Sequence, residues 1–465
     1  MLKIKKKFTI IVARETASAF LIFGFMFVSF GSLYAQDTVK TVKWDLQTCL
    51  DFAKKNNIQL NTLRLDQQTS EQNLIGAKAA LLPNLYGSAT QYLNRSNSLV
   101  IPTGTTTNTG TSANSSQASL IGTGNYGLTS SWTLYQGGYL RNDIQQKNLR
   151  VESANLNVLA QENDITLQIT QYYLNVLLDK ESIVYQQNVL TTSQAQLEQA
   201  NKRLAAGSIA RKDVAQFAAQ QANDKYTLIT SENAQRQDLI NLKQLLQLPA
   251  GINFDIVQPD TIVSKKAVES LSTVQTAALG SRPEVKYGLT GISIAEIGLK
   301  KANSGYKPTL TAAGFLGSSY QGGSTNYFSQ LSNGLNEQLG VSLSIPIFSR
   351  KVNRVNVALA KINIEQAGLS LKDTRTTLFL NIEKAYINVI NAQNQFDAAA
   401  EAFKYNTETY RVANEQQRLG ISNMVEFLQQ KTLYIQALQQ YVQAKYNAAL
   451  TIKIYDFYKG EPVKL

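Results

Sequence analysis

ITQYYLNVLLDKESIVYQQNVLTTSQAQLEQANKRL, residues 169–204, decides how the rest of the chain reads. Ile169, Val176, Ile183, Leu190, Leu197 and Leu204 recur every seven residues, and most positions between them are Gln, Asn, Ser, Thr or charged. That spacing predicts a long helix with one narrow apolar seam. An α-helix has 3.6 residues per turn, so a seven-residue seam stays in contact only where partner helices supercoil left-handedly; the stretch therefore predicts a coiled coil. One seam position is too little to bury a globular core. By pattern the helix extends from Tyr139 to Ala206, about 100 Å at 1.5 Å per residue. Polar over most of its circumference, it must face water on both sides, as a tube wall or a solvated rod does.

The seam returns 213 residues later as Ile382, Val389, Phe396, Phe403 and Tyr410, and the pairs Tyr173/Tyr386, Asn175/Asn388 and Gly207/Gly420 keep the same offset. Two copies of one pattern follow. The first, 36–250, holds a helix broken near Lys54–Asn57 and closed by Pro83, strands at 85–93 and 126–135, the long helix 139–206 and a return helix 210–248. A Pro- and Gly-punctuated linker spans 251–283. The second, 284–460, repeats the order: a helix opened by Pro283 and closed by Pro308, strands at 309–320 and 337–348, a long helix 352–419 and a return helix 421–458, with 461–465 as a tail.

In the last strand Leu339, Val341, Leu343, Ile345 and Ile347 alternate with Gln338, Gly340, Ser342, Ser344 and Pro346, the period of a strand with one apolar and one polar face. Trp132, Tyr135, Tyr126, Tyr320, Tyr327, Phe328 and Phe348 cluster near strand ends, where an aromatic girdle would lie. Asn94–Asn125 is a long polar loop. Gly122-Thr-Gly124-Asn-Tyr-Gly127 at its edge matches the dinucleotide fingerprint formally, but a strand and not a helix follows it, so it is a decoy.

Composition narrows the function. The formal charge is +12; without the five Lys/Arg and one acid of residues 1–35 the balance is 40 basic against 32 acidic residues, with no later basic run, which argues against nucleic-acid binding. There is no His, and Cys49 is the single cysteine, so intrachain disulfides are excluded and the usual metal, haem and nucleophile chemistries have almost no ligands. No catalytic residue, metal site or cofactor is expected, and no enzyme activity. The basic start, the apolar Ala17–Phe30 stretch and the exit at Tyr34-Ala35 read as a cleaved signal peptide, 1–35, with no Cys placed for a lipid anchor. No later stretch is apolar enough for a membrane helix.

A secreted chain with four strands and no membrane helix points to an outer-membrane barrel. Four strands cannot close, open edges are not tolerated in hydrocarbon, and eight strands leave an interior filled by side chains. Three chains, twelve strands, is the smallest assembly with a duct. The expected fold is mainly α with a small β part: duplicated long antiparallel coiled-coil helices and four transmembrane strands per chain, in a trimeric α/β-barrel tunnel. The competing reading is a periplasmic coiled-coil adaptor or structural rod without a pore.

Ala77-Lys-Ala-Ala-Leu-Leu-Pro83-Asn-Leu85, Trp132-Thr-Leu-Tyr-Gln-Gly137-Gly138, Arg282-Pro283-Glu284, Ile345-Pro346-Ile347-Phe348 and the turns Gly207 to Asp213-Val214 and Gly420 to Glu426-Phe427, in that order and duplicated, carry a family resemblance. The chain resembles the TolC-type outer-membrane channels of efflux pumps and type I secretion systems. Two departures stand out: Ile58 where the family usually has Pro, and Ser349-Arg350-Lys351 in place of the first copy's glycine pair, which weakens that turn. The resemblance implies a homotrimer in outer-membrane lipid, extending through the periplasm to an adaptor (membrane-fusion) protein and an inner-membrane pump. It implies hairpin tips at Gly207 and Gly420 that close the periplasmic entrance, with Asp213 and Glu426 at the family's acidic positions and Gln429 where a second acid would stand. Arg203, Arg211 and Arg418 place the opposite charge within two helical turns of those carboxylates, so tip ion pairs are expected to hold the gate. The exported cargo, whether drug, metal ion or protein, is not legible in a generically polar lumen.

Overall fold

The computed structural model describes residues 42–99, 116–259, 261–322, 326–421 and 424–463. The expected signal peptide 1–35, the middle of the polar loop and the end of the tail lie outside them. In chain order, β1 (Val42–Trp44) precedes α1 (Leu46–Asn56) and α2 (Ile58–Ala79), then β2 (Asn84–Leu99), β3 (Ser116–Gln136), the long α3 (Tyr139–Ala205) and its return helix α4 (Arg211–Leu245). Next come β4 (Phe254–Ile256), α5 (Leu271–Ser281), α6 (Pro283–Ser304), β5 (Thr309–Gln321), α7 (Tyr327–Asn333), β6 (Asn336–Ser344), α8 (Val352–Leu419) and α9 (Met424–Lys459). β1 pairs with β4, and β2-β3-β5-β6 form one four-stranded sheet.

The chain forms two compact units. One comprises, among the described residues, Val42 and Lys43 with Pro249–Asp255, where Val42 N–H donates to Asn253 O at 2.9 Å. The other, Trp44–Leu248 with Ile256–Leu465, contains both long hairpins and the four-stranded sheet. Within it, local chemistry sets the helix ends. Asp45 accepts from Thr48 N–H at 2.9 Å to cap α1. Buried Asn57 accepts from Leu60 N–H at 3.2 Å and donates to Leu245 O at 3.3 Å, which breaks the first helix and pins the break to the end of α4. Pro283 opens α6 at its first position, where the missing N–H costs nothing.

The long helices bury more than the expected single seam. Ile169, Val176 and Leu190 are buried, but so are Gln186, Ser193 and Ala200, each three residues after a seam position. On α8, Ala385, Ala392 and Ala413 do the same beside Ile382 and Val389. The second row is small or polar, so apolar periodicity does not register it. The linker also differs: α5 has Val274 and Ala278 fully buried against Val285, Ile382, Val389, Ile452 and Tyr455. One turn apart, those two side chains give α5 a narrow inward face.

The strands depart from their expected limits in both directions. β2 and β3 stay paired to Leu99↔Ser116, well into Thr/Asn/Ser sequence whose backbone pairs without any apolar alternation to announce it. β6 stops at Ser344 rather than running to residue 348, because Pro346 has no N–H to give the ladder. Tyr327 and Phe328 belong to the short helix α7, not to a strand end. The formal dinucleotide fingerprint lies inside β3.

Candidate functional site

Two regions carry functional geometry: the ends of the long hairpins, and the faces of the four-stranded sheet. At the first hairpin end Gly207 takes φ +71°, and Ser208 N–H reaches back to Arg203 O at 2.9 Å; at the second Gly420 takes φ +78°, and Ile421 N–H reaches Gln416 O at 2.9 Å. Both ends are closed by left-handed glycines; a Cβ on either would meet nothing within 4 Å, so the backbone conformation and not crowding calls for glycine there.

The expected tip charges are placed differently from simple ion pairs. Arg203 donates to the backbone carbonyls of Gln417 (3.3 Å) and Arg418 (2.6 Å), so its guanidinium ties the last turn of α3 to the last turn of α8. Asp213 accepts from Ala210 N–H at 3.3 Å and serves the start of α4. Arg418 pairs with Glu415 on its own helix at 2.8 Å, both exposed. Glu426 and Gln429 sit exposed in the first two turns of α9, and Arg211 opens α4 exposed. A cation binds a helix C-terminus well because the last carbonyls lack intrahelical partners, and Arg203 uses that property instead of a carboxylate. Behind the tips lies a small core of Ala200, Phe217, Ala413 and Phe427, with the Phe217 and Phe427 ring centres 6.2 Å apart.

Further along the hairpins, sequence reasoning missed a buried polar junction. Lys431 of α9 is 1% exposed; its Nζ donates to Ser193 Oγ of α3 at 2.6 Å and to Asp224 Oδ2 of α4 at 3.0 Å. Ser193 also donates to Asp224, and Gln220 Nε2 donates to its other oxygen at 2.8 Å. Burial holds the Lys431 ammonium below its ordinary range, and the attraction of Asp224 opposes that without cancelling it. Gln196 of α3 adds a second cross-link, donating to Asn414 Oδ1 of α8 at 3.2 Å. A third is the pairing of Lys445 with Glu181, at 2.8 Å to Oε2.

The sheet has two unlike faces. The register places Leu310↔Leu343, Ala312↔Val341 and Leu316↔Leu128 together, and Leu85 and Leu93 share that face on β2. Leu339 is 88% and Val341 68% exposed, so the β6 side of this apolar face is open, while α7 covers its far end through Tyr327 on Tyr320, ring centres 4.6 Å apart. The opposite face presents Asn84, Ser88, Thr90, Asn125, Thr129, Ser131, Thr133, Thr309, Thr311, Gln338 and Ser342. β2 and β6 are the sheet's outer strands, so each has one edge without a strand partner among the described residues. Among those residues no helix is apolar and long enough to cross a membrane, and no cluster of His, Cys, Asp and Glu suits a metal.

Comparison with known proteins agrees with this architecture. The outer membrane efflux protein BepC of Brucella suis is 22% identical over 407 residues, covering 86% of this chain and 81% of that protein. Toxin and drug export protein A of Aggregatibacter actinomycetemcomitans is 24% identical over 288 residues, and the alignment spans 60% of its length. The fold matches the crystal structure of the CmeC outer membrane channel of Campylobacter jejuni with a TM-score of 0.73 at 18% identity, over 89% of this chain and 85% of that one. The outer membrane efflux protein family itself matches at residues 49–247 and 276–451, well over half the length, and the chain belongs to that family.

Proposed function

We propose that this chain is the passive outer-membrane duct of a tripartite efflux pump or type I secretion system. Three copies share a twelve-stranded barrel, and their coiled-coil hairpins form a tunnel through the periplasm to an adaptor and an inner-membrane pump. The observation that carries the reading is the four-stranded sheet with one exposed apolar face, one polar face and two open edges. Hydrocarbon accepts the first face and rejects the open edges, so the sheet is stable in a membrane only when further copies pair β2 with β6 and enclose the polar face. Nothing in such a duct requires chemistry; it moves cargo by offering a continuous polar path. The full-length protein in mild detergent is expected as a trimer by native mass spectrometry, and a monomer or dimer would contradict the tunnel.

In this reading the hairpin tips form the periplasmic gate, with Arg203 as its latch, Gly207 and Gly420 as its reversals, and Arg418, Asp213, Glu426 and Gln429 around its mouth. Support comes from Arg203, which holds the carbonyl end of α8 from α3 and so links the two hairpins at their ends. Substituting Arg203 and Arg418 together by Ala is expected to raise leak conductance in planar bilayers. Asp213→Ala or Glu426→Ala is expected to weaken block by multivalent cations from the periplasmic side, since threefold rings of carboxylates concentrate them. Leak and block like the parent's would place the gate elsewhere on the coils.

A further inference from the structure

The polar face of the sheet is not uniformly polar. The register sets Tyr86, Thr129, Phe315 and Gln338 at one level across the four strands, with side chains on the Ser/Thr/Asn face. Adjacent strands lie about 4.8 Å apart, so Tyr86 and Phe315 stand roughly 10 Å from each other with only Thr129 between them. Tyr86 is 64% exposed and Phe315 37%. Phe315 lies over two glycines: a Cβ on Gly127 would come within 2.7 Å of its ring, and one on Gly317 would overlap it. The missing side chains let the ring lie flat along the backbone, with its other face turned away from the sheet. The result is a flat aromatic face on a wall that otherwise presents mostly hydrogen-bonding side chains, open to stacking from the lumen side.

Membrane anchoring does not account for these rings. The girdle residues Tyr126, Trp132 and Tyr320 stand on the opposite, apolar face, paired in register with Ser318, Ala312 and Gly124. Nor are the two rings held against other helices, as the exposure of Tyr86 shows. The polar face carries no Asp, Glu, Lys or Arg at residues 84–94, 121–133, 309–321 and 336–344, since Arg95 and Glu337 fall on the other parity. A cation approaching the rings therefore meets no like charge on this wall, and the negative face of each π system attracts it.

We propose that Tyr86 and Phe315 form an aromatic collar on the duct wall that holds planar aromatic cations in transit, an inference that rests on the channel reading. With three copies the collar comprises six rings at one level of the barrel. Stacking supplies most of the affinity and the ring quadrupole favours positive charge, so the collar selects by shape and charge together and holds aliphatic cations, which cannot stack, less tightly. Hydrogen-bonding residues above and below it let a held molecule leave in either direction.

The test uses the full-length protein in planar bilayers, with ethidium and tetraethylammonium as blockers. Ethidium is expected to reduce the open current at a concentration about ten-fold lower than tetraethylammonium does, and Tyr86→Ala with Phe315→Ala together to remove that preference. Phe315→Leu keeps apolar packing over Gly127 and Gly317 while deleting the π face, and is expected to lose several-fold in ethidium block with unaltered conductance. Leu339→Ala, on the other face, is expected to leave the preference intact. Equal block by the two cations in the parent, or ethidium block unchanged in the double variant, overturns the collar while leaving the channel. Failure of the parent to conduct at all overturns the channel, and the collar with it.

Discussion

The hairpins α3/α4 and α8/α9 share one register, offset by 213 residues, yet they are held together by different chemistry. α8 meets α9 through an aromatic ladder: Phe396 and Phe403 stack on Tyr441 at 5.8 and 5.1 Å, and Tyr410 stacks on Tyr434 at 4.8 Å. Ala385, Ala392 and Ala413 fill the row beside it. α3 and α4 bury Val176, Leu190 and Leu228, and with them Gln186, Ser193 and Asp224. Rings stack without help from elsewhere, whereas a buried carboxylate needs a partner. Asp224 obtains it from Lys431, which α9 supplies. The first hairpin therefore cannot satisfy its buried charge alone, and the buried Lys431 needs Asp224 in return, which ties α4 to α9 through a pair that neither can leave cheaply.

The largest expected effect separates the two hairpins. Lys431→Ala strands the Asp224 carboxylate in the core and should cost about 3–5 kcal/mol, read as faster amide hydrogen exchange along α4 as well as α9. Lys431→Met combined with Asp224→Leu should recover most of that, because two apolar side chains of similar bulk need no partner. If the single variant leaves α4 protected, the dependence of the first hairpin on α9 is wrong. Phe403→Ala, by contrast, should cost less, since Phe403 is only partly buried, and should loosen α8 and α9 alone.

A smaller effect concerns Asp179 on α3, whose carboxyl is pushed up to about 6 from 3.8, first by burial and then by the Asp238 charge on α4. One of its oxygens is buried without a hydrogen-bond partner. The folded chain holds this proton more tightly than the unfolded one, so the destabilisation is absent below the unfolded value, grows as pH rises toward 6 and is complete above it. Asp179→Asn should therefore raise the melting temperature at pH 8, with the gain shrinking toward zero as pH falls to about 4. A gain independent of pH would show that packing, not charge, is at fault.

The smallest effects compare the turns that lead into the long helices. Gly137 and Gly138 take φ +59° and +86° before α3; Arg350 and Lys351 take φ +47° and +68° before α8. Left-handed backbone costs a residue with a Cβ about 1–2 kcal/mol, so the second copy keeps the turn at the expense of strain. Lys351→Gly should stabilise the second hairpin by up to about 1 kcal/mol in thermal unfolding. Gly137→Ala should do the reverse and more, since its Cβ would meet Lys307 and Ser304 at 2.7 Å.

What the sequence makes legible follows from how each feature is encoded. Seven-residue apolar spacing and the strict alternation of Leu339, Val341 and Leu343 are periodic, so the long helices and the two-faced sheet can be read directly. β2 and β3 run on through Ser/Asn/Thr residues because backbone pairing needs no apolar signature. The Ser193–Asp224–Lys431 junction joins residues 31, 207 and 238 positions apart, and a lone Lys or Asp on a polar helix reads as a solvated charge. A signal did exist: Asp224 follows Phe217 by seven and Lys431 follows Phe427 by four, so both continue an apolar seam where charge is unexpected. Arg203 was legible as a tip residue but not as a carbonyl ligand, because backbone acceptors leave no mark in a sequence.

The account turns on which face of the sheet meets lipid. Single cysteines at Val341 and Ser342, labelled with a fluorophore in the otherwise unchanged protein and reconstituted into vesicles, distinguish the two faces. Cys49 is fully buried, and burial with the nearby Asp45 charge pushes its thiol up to about 12, so it stays unlabelled. The duct predicts that the label at 341 is quenched by nitroxides on lipid chains and not by aqueous iodide, and that the label at 342 shows the opposite. Iodide quenching at both positions would mean that the sheet lies outside the bilayer and that no barrel forms.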